Sequence, residues 1–249
     1  MKVNLVEVFT SIQGEGIYIG QPQVFIRFAG CNLRCRFCDT PQAQEVIPPW
    51  EIPQECSITT LNKGLTIPNP VSIPMLIDII KEDVLTYATI CLTGGEPLLQ
   101  TDFLKELISE IKKRFEIQIY LETNGTLPHQ LNQLIELIDI IAMDIKLPSM
   151  TGLKSFWEEH RDFLRVANEA CLVKKEVFVK IVLGHQMVME EFERAIFLIK
   201  EVDTDIPLVI QPLENSLSLE ELLRCYATAS KELKQVRVIP QVHKLVKWK

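Results

Sequence analysis

The sequence predicts an α/β protein whose largely parallel sheet closes fully or partly into a β/α barrel. Three observations carry this. Short segments rich in Ile and Val alternate with segments of helical period along the chain. Polar motifs fall just after those short segments, at the edge where parallel sheets build their sites. The 249 residues, 47% hydrophobic and 24% charged, suffice for one large globular core, and a single domain over 1–249 is expected.

Strands are expected over Val3–Phe9, Gln23–Phe28, Ala88–Leu92, Ile117–Leu121, Ile140–Asp144, Val177–Leu183, Leu208–Gln211 and Val236–Ile239. Helices fall between them. Leu104, Leu107, Ile108 and Ile111 recur at i, i+3, i+4 and i+7 behind Thr101, a candidate N-cap. Phe192, Ile196 and Ile199 mark a second helical face, and Leu219, Leu222, Leu223 and Tyr226 mark a third that starts near Ser218. From 41 to 74 the rhythm breaks: this stretch holds seven of the fourteen prolines and reads as an irregular insertion. Long loops of this kind usually act as lids or mobile segments, so it is expected to cover the site or to contact a partner.

The net charge of −7 and a pI near 5.3 argue against a broad nucleic-acid footprint or an anionic membrane as partner. No signal-peptide pattern opens the chain, and no run approaches the ~20 apolar residues of a membrane span. Of seven cysteines, three lie within eight residues, which fits a reducing cytoplasm rather than a disulfide framework. Cys91, Cys171 and Cys225 sit among apolar residues and read as small buried hydrophobes; Cys56 is assigned nothing.

Those three cysteines, Cys31, Cys35 and Cys38, stand in C-x3-C-x2-C spacing on a polar loop. Thiolates at this spacing suit a 4Fe-4S cluster with one iron left open for a small molecule. Buried structural cysteines or a Cys3His zinc site are the alternatives, but the nearest downstream histidine is His129, far from finger spacing.

Gly94-Gly95-Glu96-Pro97 follows the strand at 88: the glycines permit close backbone approach and Glu96 suits an amine, or the motif is a tight turn. After the strand at 117, Glu122 and Asn124 either bind ribose hydroxyls or belong to an Asn-Gly turn. Asp144 and Lys146 close the strand at 140, and Gln211, Glu214, Gln241, His243 and Lys244 continue the pattern. Arg27 lies in an apolar run, opposite Ile26 and Phe28 by alternation; a ligand carboxylate or a rim salt bridge would satisfy it. His243 is a single histidine, and such residues are more often simply packed than catalytic.

Taken together, Cys31, Cys35 and Cys38 with Gly94-Gly95-Glu96-Pro97 resemble the radical S-adenosylmethionine superfamily. The resemblance implies a partial, TIM-like (β/α) barrel, a 4Fe-4S cluster on the three cysteines, and S-adenosylmethionine on the fourth iron, cleaved to a hydrogen-abstracting 5'-deoxyadenosyl radical. Within it, Ser11 to Gly16, Phe25 to Leu33, Cys38-Asp39-Thr40 and Gln241 to Lys244 resemble the 7-carboxy-7-deazaguanine synthases. These are carbon-nitrogen lyases of queuosine and 7-deazapurine biosynthesis that contract 6-carboxy-5,6,7,8-tetrahydropterin with loss of ammonia. Carried over by motif, Ile12, Gln13, Gly14, Glu15, Arg27, Thr93, Gln241 and His243 would meet substrate, and Thr40 would ligate Mg2+. Phe37, Cys38, Asp39 and Gly95, with Glu96, Glu122, Asn124, Asp144, Ile145 and Lys146, would hold S-adenosylmethionine. A homodimer and an external electron donor such as flavodoxin or ferredoxin are implied partners. The 41–74 stretch and the tail beyond His243 depart from the expected pattern. Two rivals remain: a glycyl-radical enzyme activating enzyme, and an iron-sulfur electron carrier with Cys56 as a fourth ligand.

Overall fold

In the computed structural model the described residues are 1–44, 54–171 and 175–246. Their strands are β1 (Lys2–Val3), β2 (Leu5–Ile12), β3 (Pro22–Phe28), β4 (Glu55–Thr59), β5 (Gly64–Pro68), β6 (Val71–Ser72), β7 (Thr89–Gly94), β8 (Gln118–Thr123), β9 (Ile140–Asp144), β10 (Glu176–Leu183), β11 (Leu208–Pro212) and β12 (Val236–Val238). The helices are α1 (Pro41–Gln44), α2 (Ile73–Tyr87), α3 (Thr101–Lys112), α4 (Pro128–Leu134), α5 (Pro148–Thr151), α6 (Trp157–Cys171), α7 (Met189–Val202), α8 (Leu219–Ala229) and α9 (Val242–Leu245). Ten strands form one sheet in the order β12-β11-β10-β9-β8-β7-β3-β2-β4-β5. From β3 to β12 every neighbouring pair is parallel, so their C-terminal ends share one edge. Among the described residues β12 and β5 are free edges and do not pair with each other, so the sheet is open.

Alternation along each strand sorts the side chains into two layers. Val24, Ile26, Ile119, Leu121, Val179 and Ile181 point into the large core beneath the helices. Phe9, Phe25, Tyr120, Ala142, Phe178 and Val209 point the other way and form a smaller apolar floor. α3 shows how a helix joins the larger layer: Phe103, Leu104, Leu107, Ile108 and Ile111 are all buried, each contributing about 1.5–3 kcal/mol of transfer free energy. Thr101 proves to be inside α3, its hydroxyl donating to the Leu98 carbonyl, with Gln100 at the cap. Ser218 does cap α8 through a reciprocal box with Glu221, but Leu219, Leu223 and Tyr226 face outward and Cys225 and Ala229 make the buried side. Cys91 and Cys225 are buried; the side chain of Cys171 lies outside the described set.

The expectation for 41–74 needs correction. Residues 45–53 lie outside the described residues, but β4, β5, β6 and the start of α2 occupy most of the remainder. The β4–β5 hairpin extends the sheet beyond β2, burying Cys56 and Ile58. Prolines did not prevent this because they sit at boundaries: Pro68 ends β5, Pro70 precedes β6, and Pro74 occupies the first turn of α2. Two side chains fasten the hairpin. Asp83 accepts from Thr10 Oγ1 at 2.7 Å and from the Leu61 amide at 3.0 Å, and Asn69 brackets the Leu5 backbone with bonds of 3.1 and 2.8 Å. Residues 54–74 therefore lie at the sheet's far edge and line no part of the pocket described next. No described helix is long and apolar enough to cross a membrane.

Candidate active site

The three cysteines sit on the loop that leaves the C-terminal end of β3 and runs into α1. Gly30, at φ +98°, turns the chain out of the strand, and its amide donates to the Ala43 carbonyl at 2.9 Å, closing the loop at its base. Further in, Arg36 N donates to Thr151 O, Gln44 Nε2 to Cys35 O, and Arg34 Nη1 to the carbonyls of Cys31 and Leu33. Cys31, Cys35 and Cys38 all line one pocket, and no other cysteine among the described residues does. Burial pushes the thiols of Cys31 and Cys35 up, Cys35 to about 11, so metal binding there must displace protons. Three soft donors on a loop held by backbone hydrogen bonds, with no fourth cysteine beside them among the described residues, suit an iron-sulfur cluster better than a closed zinc site.

The glycine turn after β7 forms the base of this loop. Gly95 N donates to Phe28 O at 3.1 Å and Glu96 N to Gly30 O at 2.8 Å. A Cβ on Gly95 would lie 2.1 Å from Gly30 O and 2.3 Å from Ala43 O, so only glycine permits the approach.

Glu96 lies behind the pocket wall. Its side chain is fully buried, lines no part of the pocket, and accepts from Leu98 N, Thr123 Oγ1 and Asn124 N at 2.8–3.1 Å. It therefore ties the glycine turn to the end of β8. Burial raises its carboxyl to about 7, against those three donors, which favour the ionised form. A group whose folded pKa exceeds its unfolded value lends stability that is lost as pH rises through the folded pKa. Stability should thus fall by about 3 kcal/mol between pH 4.5 and 8 from this group. Denaturant titrations of Glu96→Gln should show that slope flattened; an unchanged slope would assign the pH dependence elsewhere.

Arg27 lines the pocket beside the cluster loop and makes the salt bridge that its place in an apolar run called for. Its Nε donates to Glu7 Oε1 at 2.9 Å and its Nη1 to Thr40 Oγ1 at 3.3 Å, over the Phe9 ring. On the next strands Glu122 accepts from Thr93 Oγ1 at 2.7 Å and from Gln13 Nε2 at 3.0 Å. Asn124 binds Asn32 of the cluster loop and Thr126. Behind it His160, pushed down to about 4 by burial, stays neutral with Nε2 3.2 Å from the Asn124 carbonyl oxygen.

A chain of charges crosses the floor. Lys180 of β10 is paired with Glu15 and lies 3.7 Å from Asp144, which accepts from Lys146 at 2.7 Å; Lys146 in turn stands 5.1 Å from the Phe37 ring centroid. Burial alone would raise Glu15, but the Lys180 charge and hydrogen bond outweigh it and hold the carboxyl at about 2. The same carboxylates hold Lys180 above the usual lysine range against its burial. Asp144 Oδ1 is buried without a partner among the described residues, an acceptor suited to a ligand amine. The tail closes the other side. Val242 N donates to Gly14 O, Gln241 Nε2 to Glu15 Oε1, and a Cβ on Gly14 would meet His243 Cβ at 2.5 Å.

The pocket thus gathers Ile12, Gln13, Gly14, Glu15, Arg27 and Thr93 with Gln241 and His243, and Phe37, Cys38, Asp39 and Gly95 with Glu122, Asn124, Asp144 and Lys146. Besides Glu96, two expected side chains lie off its wall. Ile145 is buried in the helix-side core, because alternation past Asp144 turns it away. Thr40 is buried and takes its bond from Arg27. Sequence reasoning passed over Lys180, although the alternation that singled out Arg27 applies equally to the apolar run of β10.

Residues 25–199 match the model of the Radical SAM superfamily. The chain is 38% identical over 254 residues to the 7-carboxy-7-deazaguanine synthase of Geobacter sulfurreducens, covering 97% of this chain and 96% of that protein. It is 36% identical over 245 residues to the enzyme of that name from Archaeoglobus fulgidus, covering 98% of each. Its fold is similar to the crystal structure of QueE from Escherichia coli, with TM-score 0.62, 21% identity, and coverage of 98% of this chain and 95% of that one.

Proposed function

The chain belongs to the radical S-adenosylmethionine superfamily and, within it, to the 7-carboxy-7-deazaguanine synthases, and on that premise we propose how its pocket acts. The reaction is that of a lyase: 6-carboxy-5,6,7,8-tetrahydropterin becomes 7-carboxy-7-deazaguanine with loss of ammonia, within queuosine and 7-deazapurine biosynthesis. The observation that carries the reading is that the three cysteines and Arg27 face one pocket, at the C-terminal end of a single strand.

The 4Fe-4S cluster and S-adenosylmethionine supply, when bound, hydrogen abstraction by a carbon-centred radical. The chain does the rest. Cys31, Cys35 and Cys38 hold the cluster, while Gly95 lets the backbone close on it. Phe37, Asp39, Asp144, Lys146, Glu122 and Asn124 line the side assigned to S-adenosylmethionine; the unpartnered Asp144 Oδ1 supports a contact to its amine. Arg27, Thr93, Gln13, Gly14, Ile12 and Glu15 line the side assigned to the pterin, with Gln241 and His243 as its cover, which keeps water from a reactive substrate. Mg2+ is proposed at Thr40, whose hydroxyl lies off the pocket wall and accepts from Arg27, so that bond must open for substrate oxygens to complete the ion's shell. Glu15, Asp39 and His243 offer ligand atoms within 4.8 Å of one another, but Lys180 and Lys244 already match the two carboxylates.

Arg27→Ala should weaken binding of the carboxylated pterin by about 1.5–3 kcal/mol, the range for a hydrogen bond to a charged group. Calorimetry checks this, and unchanged affinity removes the role. Turnover should release one ammonia per substrate consumed; a different stoichiometry would count against the lyase reading. The activating-enzyme rival is disfavoured by the polar cover of Gln241 and His243 over the pocket. The electron-carrier rival loses its fourth ligand, since Cys56 is buried in the helix-side core on β4. We further propose a single domain, a cytoplasmic location, an electron donor of the flavodoxin or ferredoxin class, and a homodimer. The exposed Leu219, Leu223 and Tyr226 of α8 offer apolar surface that such a dimer would cover.

A further inference from the structure

The side-chain amide of Asn124 is saturated inside the protein. Its Oδ1 accepts from Thr126 N at 3.1 Å and from Thr126 Oγ1 at 2.6 Å, and its Nδ2 donates to Asn32 Oδ1 at 2.8 Å and to Cys31 Sγ at 3.9 Å. Asn32 Nδ2 in turn donates to Thr126 Oγ1 at 2.8 Å, so Asn32, Asn124 and Thr126 form a closed ring that joins the cluster loop to the end of β8. The Thr126 backbone amide can only donate, which fixes Oδ1 on its side and turns Nδ2 towards the cysteine. Asn124 and Thr126 are buried, and Glu96 and His160 hold the Asn124 backbone from behind. Fastening the loop needs only the bonds between nitrogen and oxygen; the contact to sulfur is additional. Cys31 Sγ takes both this amide and Leu33 N, the latter at 3.4 Å, while the sulfurs of Cys35 and Cys38 accept no hydrogen bond among the described residues.

We infer that Asn124 raises the reduction potential of the cluster through Cys31, with Asn32 and Thr126 as the positioning residues that aim its amide. The inference rests on the proposed reaction, which places a 4Fe-4S cluster on the three cysteines and reduces it by one electron from an external carrier. The added charge spreads onto the ligating sulfurs, and an N–H aimed at one of them stabilises the reduced form over the oxidised one. Opening the ring frees the Asn124 amide to turn away from Cys31. The potential should then fall.

The test is an anaerobic redox titration of the reconstituted protein, read by electron paramagnetic resonance, without S-adenosylmethionine, so that contacts to that ligand play no part. Thr126→Val removes the shared hydroxyl at constant size, Asn32→Ala removes the exposed member of the ring, and Thr126→Ser keeps the hydroxyl. Both ring-breaking variants should lower the one-electron reduction equilibrium about threefold to tenfold, the worth of a single hydrogen bond, which is a potential lower by about 30–60 mV. Thr126→Ser should match wild type. A loaded Thr126→Val or Asn32→Ala protein at the wild-type potential overturns the inference, as does a shift that Thr126→Ser shares. Loss of the cluster from both ring-breaking variants would make the ring a fastening of the loop alone, and overturns it too. If wild type itself takes up no 4Fe-4S cluster, the proposed reaction fails instead.

Discussion

Gly95→Ala should leave the chain unable to hold its cluster and should destabilise the ligand-free protein by about 3 kcal/mol, the upper range for overpacking. The new methyl group would sit 2.1 Å from Gly30 O and 2.3 Å from Ala43 O, both backbone atoms. No rotamer change relieves that, so the glycine turn and the cysteine loop must separate. Separation breaks the bonds from Gly95 N to Phe28 O and from Glu96 N to Gly30 O, which fix Cys31 relative to β7. Iron and sulfide content after anaerobic reconstitution, with a denaturant midpoint, checks both parts. Gly64→Ala is the control, since nothing lies within 4 Å of its added Cβ. A fully loaded Gly95→Ala protein would show that the close approach is dispensable.

Lys180→Met should cost about 3–5 kcal/mol at pH 7, the range for removing one partner of a buried ion pair. Glu15 and Asp144 would then face each other without the cation between them. The contribution of Glu15 to the pH dependence should also change sign. In wild type the Glu15 carboxyl is held at about 2, below its ordinary 4.5, so its contribution is present above pH 4.5 and is lost as pH falls towards 2. Without Lys180, burial is left to raise that carboxyl, and as pH falls from 7 to 5 the variant should gain more stability than wild type, which has only the gain from Glu96. Denaturant midpoints at the two pH values decide this. A variant that tracks wild type across that range would show that Lys180 does not hold Glu15.

Particular residues show what could be read before the structure. Eight of the strands were visible because each buries one face, or two, of a short Ile/Val run between helical segments. Arg27 stood out because period 2 places it opposite Ile26 and Phe28, and the same period shows that Ile145, between Asp144 and Lys146, faces the core. The β4–β5 hairpin was hidden by its composition: the prolines around it mark its ends, and alternation over five residues with Cys56 and Ile58 is too short a signal against seven prolines. The task of Glu96 was not legible at all, because it depends on contacts with Thr123 and Asn124 that lie 27 and 28 residues away. Local sequence records a carboxylate after two glycines; only the register of β7 beside β8 decides whether it faces the ligand or the turn.

The most direct measurement is an anaerobic incubation of the reconstituted protein with reductant, S-adenosylmethionine, Mg2+ and 6-carboxy-5,6,7,8-tetrahydropterin, with products read by mass. The proposed pocket predicts 7-carboxy-7-deazaguanine. Formation of 5'-deoxyadenosine alone, with the pterin unchanged, would contradict it, leaving the radical chemistry in place and assigning the Arg27 side of the pocket to another substrate.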